Sequence, residues 1–199
     1  MRTIRFISMI AMMVVGLAAP ALAQRAGPEF RRPLACEPLE PRTKLEAIDM
    51  RYARVLIKGF TPVGTLDGRG GELRIDALEL RDTLEPARAT GIVIAVREAG
   101  DNNRENRALI DYEEIDPLIK ALDTVARVND TATKLTGFEA RYRTNGDMEV
   151  NVFRQNRSGV ASSLSIGICD RITVFLTLDD LNKLRGIILE AKTRLDEIK

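Results

Sequence analysis

Hydrophobic and polar positions along this chain repeat one pattern twice. From Tyr52 the pattern has period two, with Ala53, Val55 and Ile57 set against Arg54 and Lys58, which predicts a strand whose faces differ. Phe60 to Gly71 contains Pro62, Gly64, Gly68, Gly70 and Gly71 and reads as a long turn or flexible loop. Residues 73–80 predict a second strand, bulged near Asp76 and Ala77 where the alternation slips. Residues 91–96 are apolar on both faces and predict a central strand, and residues 107–111 predict a fourth. Ile115, Leu118, Ile119, Leu122, Val125 and Ala126 then recur at helical spacing and make one apolar face. That helix has two candidate starts: a capping box of Asp111 with Glu114, or Asp116 followed by Pro117.

The second copy is more compact. Phe138, Ala140 and Tyr142 alternate with Glu139, Arg141 and Arg143; Thr144-Asn145-Gly146 supplies a turn; Met148, Val150 and Val152 alternate with Glu149 and Asn151. Charge pairing selects a register in which Gly146 takes the left-handed position of a three-residue loop, Arg143 faces Asp147 and Arg141 faces Glu149. Residues 159–166 and 172–176 complete four strands. Thr177 caps a final helix with Leu181, Leu184, Ile187, Ile188, Ala191 and Leu195 inside. The two helix starts align, 112–118 with 178–184, so that Asp111 falls on Thr177. The predicted fold class is α+β: two ββββα repeats, in halves 51–128 and 136–199 of a single domain, with antiparallel curved sheets each covered by a helix.

The N-terminus follows a different pattern. Arg2 and Arg5 precede an apolar run from Phe6 to Leu17, and Ala21-Leu22-Ala23 ends in a small-x-small cleavage pattern. Residues 1–23 therefore read as a signal peptide, with the mature chain starting at Gln24 and working in the periplasm or outside the cell. A membrane anchor is the competing reading, but the run is well short of the roughly 20 residues a spanning helix needs. No later segment is apolar enough to span. Residues 24–50 form a Pro/Arg-rich arm, with a short helical turn predicted over Thr43 to Met50.

Composition narrows the function. Removing 23 of 199 residues leaves 176, and removing two arginines from 30 basic residues leaves 28 against 29 acids, a net charge of −1. A basic excess of the kind that binds nucleic acid or anionic lipid is missing, which disfavours nucleic acid as a partner. The chain has no histidine, which removes the commonest general base and the usual catalytic triads. Cys36 and Cys169 predict a disulfide that pins the arm to the core, with two buried thiols or a redox pair as alternatives. Asp101-Asn102-Asn103-Arg104-Glu105 lacks the glycine and bidentate glutamate of a calcium loop and reads as a hairpin turn. Neither Asp82 with Glu85 nor Glu113 with Asp116 is specific enough to nominate acid–base chemistry. No enzyme, no metal and no cofactor are expected.

The four-strand-plus-helix unit given twice resembles, in topology over residues 52–199, the Whirly and related transcriptional-coactivator folds. That resemblance implies single-stranded nucleic-acid binding on the sheets. Ile110-Asp111-Tyr112 and Phe138-Glu139-Ala140-Arg141-Tyr142-Arg143 also resemble segments of uncharacterised exported bacterial proteins. The function expected is an exported, non-catalytic binding or structural module, with Whirly-like nucleic-acid binding as the alternative. Its candidate surfaces are the Phe60 to Gly71 loop and an outer sheet face carrying Arg141, Arg143, Glu149 and Phe153. An open antiparallel edge would favour a homodimer.

Overall fold

The computed structural model describes residues 40–100, 104–129, 131–154 and 159–199; the predicted signal peptide, residues 24–39 of the predicted arm with Cys36, and the hairpin tip at 101–103 lie outside the described residues. Eleven elements follow in chain order: α1 (Lys44–Asp49), β1 (Leu56–Gly68), β2 (Gly71–Asp82), β3 (Arg88–Glu98), β4 (Glu105–Asp111), α2 (Tyr112–Ala126), β5 (Phe138–Arg143), β6 (Met148–Arg154), β7 (Ala161–Ile166), β8 (Ile172–Leu176) and α3 (Leu178–Asp196). The first four strands form one antiparallel meander, sheet A, in the order β1-β2-β3-β4, and the last four form sheet B, β5-β6-β7-β8. Each sheet is followed by a helix, which is the predicted pair of ββββα repeats in an α+β fold.

The halves share one core. Alternate residues of sheet A (Leu73, Ile75, Ile92, Ile94, Val96, Ile110) join Met148, Val150, Leu164, Ile172 and Val174 of sheet B and the apolar faces of both helices in one buried cluster. Each helix touches both sheets. Helix α2 lies against β3, β4, β5 and β6, and α3 lies against β1, β2, β3 and β8. Thr177 and Asp180 form the expected capping box of α3, the hydroxyl accepting from Asp180 N at 3.1 Å and the carboxylate from Thr177 N at 3.1 Å. At α2, Asp111 is the N-cap by position, but its carboxylate is turned to another helix. It accepts from Lys44 N at 2.7 Å and Leu45 N at 3.0 Å, satisfying free donors at the start of α1.

Helix α1 lies within the predicted arm, yet it belongs to the folded unit. Six residues are too few for a stable isolated helix, which takes about 12–15. It is held by packing: Leu45 and Ile48 are buried against Leu78, Leu80, Ala89, Val93 and Leu109 on the outer face of sheet A. Burial of two such side chains stabilises the docked state by about 3–6 kcal/mol as an upper estimate.

Three expectations are corrected here. The Phe60 to Gly71 segment is not a flexible loop: β1 runs to Gly68, a two-residue turn follows, and Arg69 pairs with Phe175 of β8 through two backbone hydrogen bonds of 2.9 Å. Its glycines serve close approach, since a Cβ on Gly68 would overlap Val174 and come within 2.8 Å of Leu176 Cδ2 and Phe175 O. The bulge lies in β1 between Pro62 and Gly64, not in β2, whose register runs unbroken through Asp76 and Ala77. Alternation slips there because α1 covers the outer face, so Ala77 and Leu78 are both buried.

The β5–β6 register is the third. Arg143 pairs with Glu149 and Arg141 with Asn151, two residues away from the expected pairing, and the left-handed residue is Asp147 (φ 61°) instead of Gly146. Asp147 tolerates that conformation and its carboxylate contacts Arg42. Gly146 is required for a different reason: a Cβ there would collide with the backbone of Leu109 in β4. A shift of two leaves every side chain on its predicted face, so hydrophobic patterning is the same for both registers.

Candidate functional site

The predicted face on sheet B is built from β5 and β6 with their neighbours β7 and β8. Arg141, Arg143, Glu149 and Phe153 all project from its outer side, as expected, and Arg143 bonds to Glu149. Glu149 is the centre. Its carboxylate is 6% exposed and accepts from Arg143 Nη2 at 2.5 Å, Arg143 Nε at 3.0 Å, Arg171 Nη2 at 2.6 Å and Asn151 Nδ2 at 2.9 Å. Burial pushes this carboxyl upward, but the two guanidinium groups and the amide outweigh it and hold it below the ordinary glutamate value. Arg141 bonds to Glu139 at 2.9 Å, and Phe153, opposite Glu139, is half-buried. Ser165 and Thr173 share a 2.9 Å hydrogen bond on the same face. The donors that approach Glu149 are committed to it, while Asn151 Oδ1 is buried with no hydrogen-bond partner.

The outer face of sheet A is different. Small and medium side chains, Val93 and Ala95, form its floor, and α1 covers only part of it. Two adjoining cavities of about 160 and 150 Å³ run along it; both are bordered by Arg74, Ala95 and Glu105. Phe60 is exposed on the β1 side and Arg107 borders the β4 side. Arg97 pairs with Glu105 at 3.2 Å and Arg107 with Asp49 at 2.8 Å, whereas Lys58 has no ion-pair partner among the described residues.

Asp76 sits in this floor. It lies opposite Pro62 and Val93 in the sheet, and its side chain is 8% exposed. Oδ2 accepts from Arg74 Nε at 3.2 Å, while Oδ1 is buried with no hydrogen-bond partner. A buried acceptor left unpaired costs about 1–3 kcal/mol, more when charged. Sequence reasoning missed this site, although an acid between Ile75 and Ala77-Leu78 in an otherwise apolar run was the available signal.

A third recess, bordered by Lys44, Asp111, Glu113, Glu114, Tyr142 and Asn145, holds a carboxyl raised above its ordinary value. Burial of Glu114 is the main cause; its Oε1 accepts from Asn145 N at 2.8 Å and so ties α2 to the β5–β6 turn. Burial, and then Glu114, raise the Tyr142 phenol. Among the described residues, no group of three or more His, Cys, Asp or Glu side chains is placed to hold a metal, and no helix is long and apolar enough to cross a membrane. Cys169 lies in the β7–β8 connection. No protein-family model matches the chain, and no curated protein matches it.

Proposed function

We propose that this chain is an exported, non-catalytic binding module whose working surface is the outer face of sheet A. One observation carries the reading: the unpaired, buried Oδ1 of Asp76 in a groove flanked by Phe60, Lys58 and Arg107. A carboxylate with an unpaired oxygen bordering such a groove selects an N–H or O–H donor. The basic side chains suit anionic or carbonyl groups beside it, and the Phe60 ring suits an apolar or cationic neighbour. Each cavity is about half the ~300 Å³ at which small-molecule pockets begin. That size favours an extended polar ligand, such as a peptide segment lying across the strands, over an enclosed metabolite.

Export rests on the 1–23 signal pattern, and oxidising surroundings would join Cys36 to Cys169 and tie the arm to the end of sheet B. Native mass spectrometry of protein purified gently from its export compartment tests both parts. The expected result is an oxidised chain starting at Gln24 with a non-covalent adduct that Asp76→Asn loses while keeping the native circular dichroism spectrum. A reduced chain retaining residues 1–23, or an adduct indifferent to Asp76→Asn, would overturn the reading.

The clustering of Lys58, Arg74, Arg97 and Arg107 around Phe60 also supports the second reading, a Whirly-like single-strand binder. Three of those four bases are paired with acids on the same face. Retardation of single-stranded DNA with a steep salt dependence would favour it over the first.

A further inference from the structure

The open edge of sheet A carries information that neither outer face does. Strand β1 is exposed from Ile57 to Pro62, and nothing among the described residues pairs with its free side there. Its hydrogen-bonding alternation is fixed at its start, where Val55 O accepts from Thr83 N at 3.2 Å. In an antiparallel ladder the backbone groups alternate. Residues 57, 59 and 61 therefore address β2, while Leu56, Lys58 and Phe60 direct both N–H and C=O outward. Pro62 falls in the outward set, so its missing N–H costs the sheet nothing and terminates the donor row.

An exposed edge of this length is normally guarded by charge or covered. Here Lys58 guards its middle and Pro62 with the following bulge its far end, while Val55, Ile57 and Phe60 are 65%, 55% and 63% exposed along the same stretch. We infer that this edge pairs with the same edge of a second copy, antiparallel about a two-fold axis through Gly59, joining two sheets A into one eight-stranded sheet.

The register follows from the side chains. With the axis at Gly59, Lys58 of each copy exchanges both backbone hydrogen bonds with Phe60 of the other, and Leu56 N–H meets the carbonyl of Pro62. On one side of the joined sheet Lys58 lies beside the Phe60 ring. On the other, Ile57 opposes Thr61, both β-branched, which is a favourable cross-strand pair. An axis at Lys58 would put the two ammonium groups face to face, which is destabilising. An axis at Phe60 would set Pro62, which has no donor, against Lys58 instead of the strand-end Leu56, and would leave about four cross-strand hydrogen bonds where the Gly59 register makes about six. The strand is thus self-complementary in one register, which is the property a symmetric interface requires. A foreign strand would satisfy the backbone groups equally, but it would have no reason to match Ile57 to Thr61 and Lys58 to Phe60 at once. This inference is independent of the ligand proposed for Asp76, although it would place the two grooves on one continuous face.

Gly59 offers a direct test. On the axis it opposes itself, and a Cβ there meets only Glu79, at 3.8 Å from Cβ and 3.9 Å from Oε2, so a side chain is accommodated. In the full chain, Gly59→Cys should form a disulfide-linked dimer under mild oxidation, while Thr61→Cys, which opposes Ile57, should not. Sedimentation should show the unmodified protein as a dimer. Lys58→Pro removes only an outward N–H and should yield a monomer with native circular dichroism. A protein that sediments as a monomer at every concentration reached would overturn the proposal. So would cross-linking of Thr61→Cys as fast as Gly59→Cys, or a natively folded Lys58→Pro that remains dimeric.

Discussion

Asp76 on the outer face of sheet A and Glu149 on that of sheet B are both buried carboxylates, and the two are treated in opposite ways. Glu149 on sheet B receives hydrogen bonds from two arginines and an asparagine at both oxygens. Asp76 on sheet A receives one bond from Arg74 at 3.2 Å, and its other oxygen has no partner. Both pay the desolvation cost of burial, but only Glu149 recovers it through a full set of charge-assisted bonds. A satisfied buried carboxylate is part of the structure. An unsatisfied one in a groove is a place where the native state tolerates a loss, and such losses gather where a ligand completes the bonding. The carboxylate on the face that sequence charge patterning nominated is therefore the self-contained one.

The largest effect that would sharpen this contrast is at Glu149. Glu149→Ala removes bonds to charged donors that are worth about 1.5–3 kcal/mol each at most, partly regained as Arg143 and Arg171 rehydrate, so a net loss of about 2 kcal/mol is expected in urea unfolding. Asp76→Asn should move the other way. It removes a buried charge with one partner, and a gain of about 0.5–2 kcal/mol is expected by the same measurement; a loss of that size would break the comparison.

Acid titration separates the faces again. Glu149 has a folded-state value below its ordinary 4.5, so its contribution is present above about that pH and is lost as pH falls through the lower folded value. Stability of the unmodified protein should decline over that interval, and Glu149→Gln should flatten the decline. Asp180, held at about 2 by Lys183, Thr177 and the Thr177 N–H, adds a later loss toward that pH as the α3 capping box opens. The smallest effect is at Arg141, whose partner Glu139 is half-exposed: Arg141→Ala should leave the unfolding midpoint unchanged within error.

Strand order, the α3 cap and the faces of β5 and β6 were legible because each rests on local periodicity or on a short capping pattern. The rest depends on contacts between segments distant in sequence. Pro62 and the glycines of β1 carry turn composition, yet β8 packs so closely on Gly68 that glycine is a packing requirement. The slipped alternation at Asp76 reads as a bulge until α1, docked from upstream, is seen to bury the second face. Two hairpin registers differing by two residues share one polar pattern, and only the approach of Leu109 to Gly146 distinguishes them. Asp76 was hidden for the same reason: an acid in a strand is ordinary, and its missing partner shows only when the neighbouring strands are placed beside it.

The most direct measurement is equilibrium urea unfolding of Asp76→Asn beside Glu149→Gln in the full-length, oxidised protein. The account predicts opposite signs, a higher midpoint for Asp76→Asn and a lower one for Glu149→Gln. A lower midpoint for both would show that Asp76 holds the fold together as Glu149 does, and would contradict the assignment of the sheet A face as the working surface.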